Sequence, residues 1–162
     1  CPWAVTGKNG RGHRNIVTSL EMDSPKMEEN NHRFQRTYAE IQEKEVRFQE
    51  YYTEDAEYLI VAFGTVARIC LKAIEDARAK GIKIGLLRPI TLWPFPTKEI
   101  ARLSEQVKGM LVVELNAGQM IEDVRLAVDG RVPVYHFGRM GGMIPNPNEV
   151  LDALKQHFPE LS

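Results

Sequence analysis

The apolar positions change period repeatedly along the chain, and each change marks an element. From Tyr58 to Phe63 they run without interruption, YLIVAF, as expected of a strand covered on both faces. After Gly64 and Thr65 the period becomes helical. Val66, Ile69, Cys70, Ala73, Ile74 and Ala77 form one stripe, with Arg68, Lys72, Glu75 and Asp76 off it. Gly81 is placed to end that helix. Ile82 to Leu87 reads as a second strand, closed by Arg88-Pro89 ahead of a Trp93-Pro94-Phe95-Pro96 turn. Thr97 is a candidate cap for a helix to about Val107, and Met110 to Leu115 reads as a third buried strand. Asn116-Ala-Gly118 opens a helix whose apolar face is Met120, Ile121, Val124, Ala127 and Val128, and Asp129-Gly130 closes it. Val132 to Phe137 is the fourth strand, with Pro133 arguing for an early or edge position. Asn146 as cap, Pro147 first and Glu149 third then start a helix that runs to about His157. Strands alternating with helices in this way predict an α/β fold, three-layer α/β/α with a mostly parallel sheet.

The N-terminal third is different in kind. Residues 1–23 are Gly-rich and polar, and only His13 to Leu20 suits a short edge strand. Ser24-Pro25 is a good helix start, and Phe34, Tyr38, Ile41, Phe48 and Tyr52 follow near a 3.5-residue seam interrupted by Glu45. One long helix to about Tyr52 is therefore expected. Its aromatic stripe either packs on its own domain or docks on a partner subunit. The expected organisation is an arm over 1–23, a long helix over 24–55 and an α/β domain over 56–162.

A chain of 162 residues supports one ordinary domain. Its first residue is Cys1 rather than Met, so a processed, cut or cloned piece of a longer protein is expected. The net charge of −1 gives no overall field for nucleic acid or a membrane surface. Locally the charge is uneven. Residues 1–20 carry Lys8, Arg11 and Arg14 without an acid, whereas residues 21–55 hold ten acids against five bases. Solvated surface or a contact inside a parent protein explains that pattern. Cys1 and Cys70 make neither a CxxC pair nor a disulfide framework, and Cys70 sits on the buried stripe. No apolar run approaches the ~18 residues of a membrane span and no secretory signal is present, which makes the cytoplasm the default expectation.

In a parallel sheet the carboxyl ends of the strands gather ligands and partners. Four turns fall there, carrying Gly64 and Thr65, then Arg88, then Glu114, Asn116 and Gln119, and finally Arg139 with Gly141 and Gly142. Gly64-Thr65 reads first as a tight turn with a capping hydroxyl. Glu114 and Asn116 are placed to orient Gln119 or to bond Arg88 across the edge, a structural ion pair rather than catalysis. The Arg139-Met140-Gly141-Gly142 loop offers glycine N–H groups beside a guanidinium, a candidate cradle for an anion such as a phosphate or carboxylate. No Walker lysine follows it, and no GxGxxG or GxSxG is present. His13, His32, His136 and His157 are scattered without metal-ligand spacing, and His136 in a strand reads as a satisfied core or interface histidine. Glu122 and Asp123 are adjacent on a helix and so face apart.

The wording AFGTVARI, GLLRPITLWPFP, VVELNAGQMIEDVRLAV and FGRMGGMIP, with the N-terminal CPWAVTG, resembles the alpha subunit of thiamine-diphosphate-dependent 2-oxoacid:ferredoxin oxidoreductases of the 2-oxoisovalerate and 2-oxoglutarate type. The βαβ order resembles the C-terminal domain of the transketolase superfamily. This resemblance implies a transketolase C-terminal-like domain, preceded in the subunit by a pyrimidine-binding domain. The parent complex would oxidatively decarboxylate a 2-oxoacid to an acyl-coenzyme A, using thiamine diphosphate, magnesium (Mg), iron–sulfur clusters and coenzyme A. The chain lacks the Gly-Asp-Gly motif of thiamine diphosphate binding and the clustered cysteines of iron–sulfur centres. No cofactor is therefore expected in this chain, and no catalytic residue or metal site. The role implied is subunit assembly. Its partners would be the rest of the alpha subunit, beta, gamma or delta subunits, ferredoxin through the complex, or a second copy in a homodimer, but no nucleic acid and no membrane. The strand-end residues Gly64, Thr65, Arg88, Glu114, Asn116, Gly118 and Gln119 would lie at the interface, with the helix after Gly118 turned toward a subunit contact. The alternative is an anion or coenzyme A module built on Arg139, Gly141 and Gly142.

Overall fold

A computed structural model describes residue 1 and residues 3–161, which divide into a unit from Cys1 to Glu40 and a second from Ile41 on. In the first unit, residues 13–20 carry no regular structure, so the short edge strand expected there is absent. Trp3, Val5, Ile16, Val17, Leu20 and Met22 are all exposed. Helix α1, Ser24–Lys44, has no buried residue.

The long helix expected to reach Tyr52 stops at Lys44, and Phe48–Tyr51 forms strand β1 instead. The reason is tertiary. Strand β3, Ile84–Pro89, has an open edge, and β1 pairs with it antiparallel, Phe48 opposite Pro89 and Tyr51 opposite Leu86. Arg47 fixes the entry to that pairing. Its carbonyl accepts from Ile90 N at 2.9 Å and Thr91 N at 3.1 Å, and its own N–H donates to Thr91 Oγ1 at 3.0 Å. Aromatic residues spaced for a helical seam also suit a pleated edge, and backbone pairing decides between the two.

The remaining elements alternate as the sequence predicts. Strand β2 is Tyr58–Val61, α2 is Gly64–Arg78, α3 is Thr97–Ser104 and β4 is Gly109–Glu114. Helix α4 is Met120–Val128, β5 is Val134–Gly138, α5 is Pro147–His157, and a 3₁₀ turn covers Pro159–Leu161. The strand order is β1-β3-β2-β4-β5, with every pair parallel except β1 with β3. Strand β5 is an edge, and Pro133 lies just before it, where its missing N–H costs no ladder bond.

Successive side chains of the central strands enter opposite layers, which explains why these runs are apolar throughout. Tyr58, Ile60, Ile84, Leu86, Leu111 and Val113 pack with α2 and α5. Leu59, Val61, Leu87, Met110 and Val112 pack with Ile100 and Leu103 of α3 and with Val124 and Val128 of α4. Helix α5 starts as its sequence indicates. Asn146 Oδ1 accepts from Glu149 N at 3.0 Å and Glu149 Oε2 accepts from Asn146 N at 2.9 Å, a complete capping box with Pro147 at its first turn. Thr97 does not cap α3; it is that helix's first residue, after Pro96. Asn116-Ala-Gly118 is a turn, and α4 begins two residues beyond it.

Candidate functional site

All four parallel strands end on one edge of the sheet, so the expected turns share a rim. The residues in them do not form a single cluster. Glu114, last in β4, is the centre of the largest group. Its side chain is fully buried, the only buried acid among the described residues. Gln119 N donates to both of its oxygens at 3.3 Å, Met120 N to Oε2 at 2.9 Å, Ile121 N to Oε1 at 3.2 Å and Asn116 Nδ2 to Oε2 at 3.0 Å. These are the orphan donors of the first turn of α4, so the carboxylate both satisfies them and faces the positive end of the helix.

The turn between β4 and α4 is shaped for that contact. Asn116 Oδ1 accepts from Gly118 N at 2.7 Å, and Gly118 takes φ +109°, which a side chain would resist. Arg139 N donates to the Glu114 carbonyl at 3.2 Å, tying the exit of β5 to the same strand end. His136, on β5, places Nε2 3.8 Å from Glu114 Oε1, beyond hydrogen-bond range, and packs its ring beside Gly118 and Gly138. Gly138 is obligatory there: a methyl group at that position would collide with the Asn116 carbonyl and the His136 ring.

Arg88 does not join Glu114. Its Nη1 donates to Gln49 Oε1 at 3.0 Å on β1. Strand order explains the correction, because β2 lies between β3 and β4 and holds the two residues about two strand spacings apart, roughly 10 Å. Gly64 and Thr65 are exposed at the start of α2, with Gly64 at φ +60°. The cap position of that helix is Phe63, which makes no side-chain cap bond, so the capping hydroxyl expected from Thr65 is not what starts it. Arg139 Nη2 lies 3.3 Å from Glu149 Oε1, and Gly141 and Gly142 form an exposed turn at φ +65° and +86°. An anion entering this loop would compete with Glu149.

Two features escaped sequence reasoning. One is the glycine and histidine packing of Gly138 and His136 behind the β4–α4 turn, signalled only by a glycine ending an apolar run. The other is a crevice of about 220 Å³ lined by Phe63, Leu92, Glu114, Gln119, Met120 and Asp123.

The donors present do not fit a metal-bound diphosphate or an iron–sulfur cluster. Glu114 has its oxygens filled by N–H groups, and no group of three His, Cys, Asp or Glu among the described residues has metal-site geometry. Cys1 is exposed and Cys70 buried. No helix among the described residues is long and apolar enough to cross a membrane.

Fold and site together define a doubly wound α/β module whose buried acid organises a helix start. At 17% identity two solved structures share this fold. One is a 2-oxoglutarate:ferredoxin oxidoreductase from Magnetococcus marinus, solved with 2-oxoglutarate, coenzyme A and succinyl-CoA, at a TM-score of 0.72 over 99% of this chain and 30% of that one. The other is a split-gene transketolase, at 0.58 over 68% of this chain and 40% of that one. Residues 56–150 match the family described as pyruvate:ferredoxin oxidoreductase core domain II, and the chain belongs to that family. It is 44% identical over 154 residues to the ketoisovalerate oxidoreductase subunit VorB of Methanothermobacter thermautotrophicus, across 95% of this chain and 43% of the relative. The chain thus spans less than half the length of that relative.

Proposed function

We propose that this chain is an assembly domain of the alpha subunit of a thiamine-diphosphate-dependent 2-oxoacid:ferredoxin oxidoreductase, holding cofactor-binding domains in register and doing no chemistry itself. The parent complex oxidatively decarboxylates a 2-oxoacid to an acyl-coenzyme A and passes the electrons to ferredoxin. Ketoisovalerate, named in the VorB relative, is the first substrate to test.

The observation that supports an assembly role is where exposed apolar side chains collect. Among the described residues from Ile41 on, nine large hydrophobic side chains are exposed, and seven of them lie in loops that leave the carboxyl end of a parallel strand. Ile90, Leu92 and Trp93 follow β3, Leu115 follows β4, and Met140, Met143 and Ile144 follow β5; only Tyr52 and Leu126 lie elsewhere. Exposed apolar side chains gathered on one edge of the sheet support a protein contact. The exposed turn residues Gly64, Thr65 and Gln119 likewise follow the carboxyl ends of β2 and β4.

The test uses the full-length subunit co-expressed with its partner subunits. Leu115→Glu and Met143→Glu are expected to split the complex on gel filtration, and viologen reduction with ketoisovalerate, coenzyme A and thiamine diphosphate is expected to fall with it. Turnover by this chain alone, or an intact complex carrying both substitutions, would overturn the reading. An Arg139→Ala complex with an unchanged coenzyme A KM would remove the alternative in which the Arg139–Gly142 loop binds that cofactor.

A further inference from the structure

Open α/β sheets place their binding crevice where the strand order reverses, outside the carboxyl ends of the strands. Here the chain leaves β2 for β3 on one side and then crosses to β4 on the other. The crevice between Phe63, after β2, and Glu114, at the end of β4, lies at that point. Such a crevice ordinarily attracts anions, because a helix N-terminus points free N–H groups into it. At α4 those N–H groups are already bonded to Glu114, whereas the first turn of α2, after Phe63, has no side-chain cap.

The lining surface is mostly apolar, with Gln119 and one exposed carboxylate. Phe63, Leu92 and Met120 supply apolar walls, and Asp123 adds a carboxylate that is exposed and unpaired among the described residues. The volume, about 220 Å³, is below the ~300–1,000 Å³ of small-molecule and cofactor sites and suits one long side chain. Leu92 also belongs to the exposed apolar rim, so the crevice opens within that surface.

We infer that this crevice receives an arginine side chain from a protein partner seated on the rim, with its aliphatic stem against Leu92 and Met120 and its guanidinium between Asp123 and the Phe63 ring. The inference rests on the assembly reading and specifies what one point of that interface recognises. Arginine fits better than lysine because a planar, weakly hydrated guanidinium stacks on an aromatic face and pairs with a carboxylate at once.

The experiment places the photo-crosslinking residue p-benzoylphenylalanine at Leu92 in the assembled full-length enzyme and locates the linked peptide by mass spectrometry. In parallel, Asp123→Lys and Asp123→Asn are compared for assembly by gel filtration across a dilution series. The expected crosslink lies within a few residues of an arginine outside this domain. Asp123→Lys is expected to weaken assembly on the order of tenfold, and Asp123→Asn less. A crosslink to a segment without arginine overturns the inference, as does no crosslink together with wild-type assembly of Asp123→Lys. Should Asp123→Lys fail to fold, the crosslink and Asp123→Asn decide. Leu115→Glu separates the two readings: if it breaks the complex while Asp123→Lys does not, the crevice inference falls and the rim stands, and if neither acts, both fall.

Discussion

Replacing Glu114 by glutamine changes one buried oxygen to an NH₂ group that now faces donors. The carboxylate accepts from Gln119, Met120 and Ile121 backbone N–H groups, and the last two residues are buried, at 4% and 5% exposure. Water can replace the lost acceptor at exposed Gln119, but not readily at the other two. The amide keeps one oxygen, so one of the two buried N–H groups is left without an acceptor, at a cost of about 1–3 kcal/mol. Loss of the charge at the helix N-terminus adds roughly 0.3–1 kcal/mol. A destabilisation of about 2 kcal/mol is expected for Glu114→Gln, and about 4 kcal/mol for Glu114→Ala, which orphans both donors. In a chain of this size 2 kcal/mol corresponds to a Tm drop of roughly 4–8 °C. Urea unfolding followed by far-UV circular dichroism, with melting as a second probe, measures it. If Glu114→Gln unfolds at the wild-type midpoint, the carboxylate does not hold the start of α4, and the self-filled anion site argued for the crevice goes with it.

Two glycines should fail for different reasons. A methyl group at Gly138 would meet the Asn116 backbone carbonyl, which has nowhere to go, whereas one at Gly109 would meet the Phe158 ring. Both alanine variants should lose about 1–3 kcal/mol or more, but Phe158→Leu should restore part of the loss only in Gly109→Ala, as read by urea midpoints of the double variants. Alkaline stability should also fall. Burial and a 2.5 Å hydrogen bond donated to Glu160 push the Tyr58 hydroxyl up from 10.0 to about 12, and burial pushes the Cys70 thiol up from 9.0 to about 12. Both are acids held neutral by the fold, so their contribution is complete below about pH 9 and is lost as pH rises toward 12. Urea midpoints between pH 8 and 11 should decline, and Tyr58→Phe with Cys70→Ala should flatten the decline; an equal slope in the double variant would refute the assignment.

The α/β domain was legible because its signals are local. Continuous apolar runs, a helical stripe from Val66 to Ala77 and the Asn146-Pro147-Glu149 start each map onto an observed element. What could not be read was decided by other parts of the chain. Phe48 to Tyr51 became a strand because β3 offered an unpaired edge, a fact carried by residues some forty positions away. Glu114 reads as a strand-end candidate with Gln119 and Arg88 both in reach on paper; Gln119 is the partner found, and only the strand order shows that β2 separates Glu114 from Arg88. The crevice and the apolar rim depend on which side chains remain uncovered after folding, and local apolar patterning reads alike for a covered Leu87 and an exposed Leu92.

The two halves of the rim support one another. A strand-end edge built for small-molecule chemistry keeps its helix N-termini open and its carboxylates hydrated, so that charge can be exchanged with a ligand. At α4 this edge does the reverse. The buried acid closes the helix N-terminus from within, and a methyl-sized intrusion at Gly138 is barred by backbone. The result is a strand end whose buried acid is satisfied from within, framed by Leu92, Trp93 and Leu115, which water solvates poorly. Apolar exposure beside an internally bonded turn suits the proposed protein contact, since apolar area favours burial. In the assembly reading proposed above, Glu114 closes the α4 N-terminus to an outside anion and leaves the exposed apolar side chains as what a partner would bury.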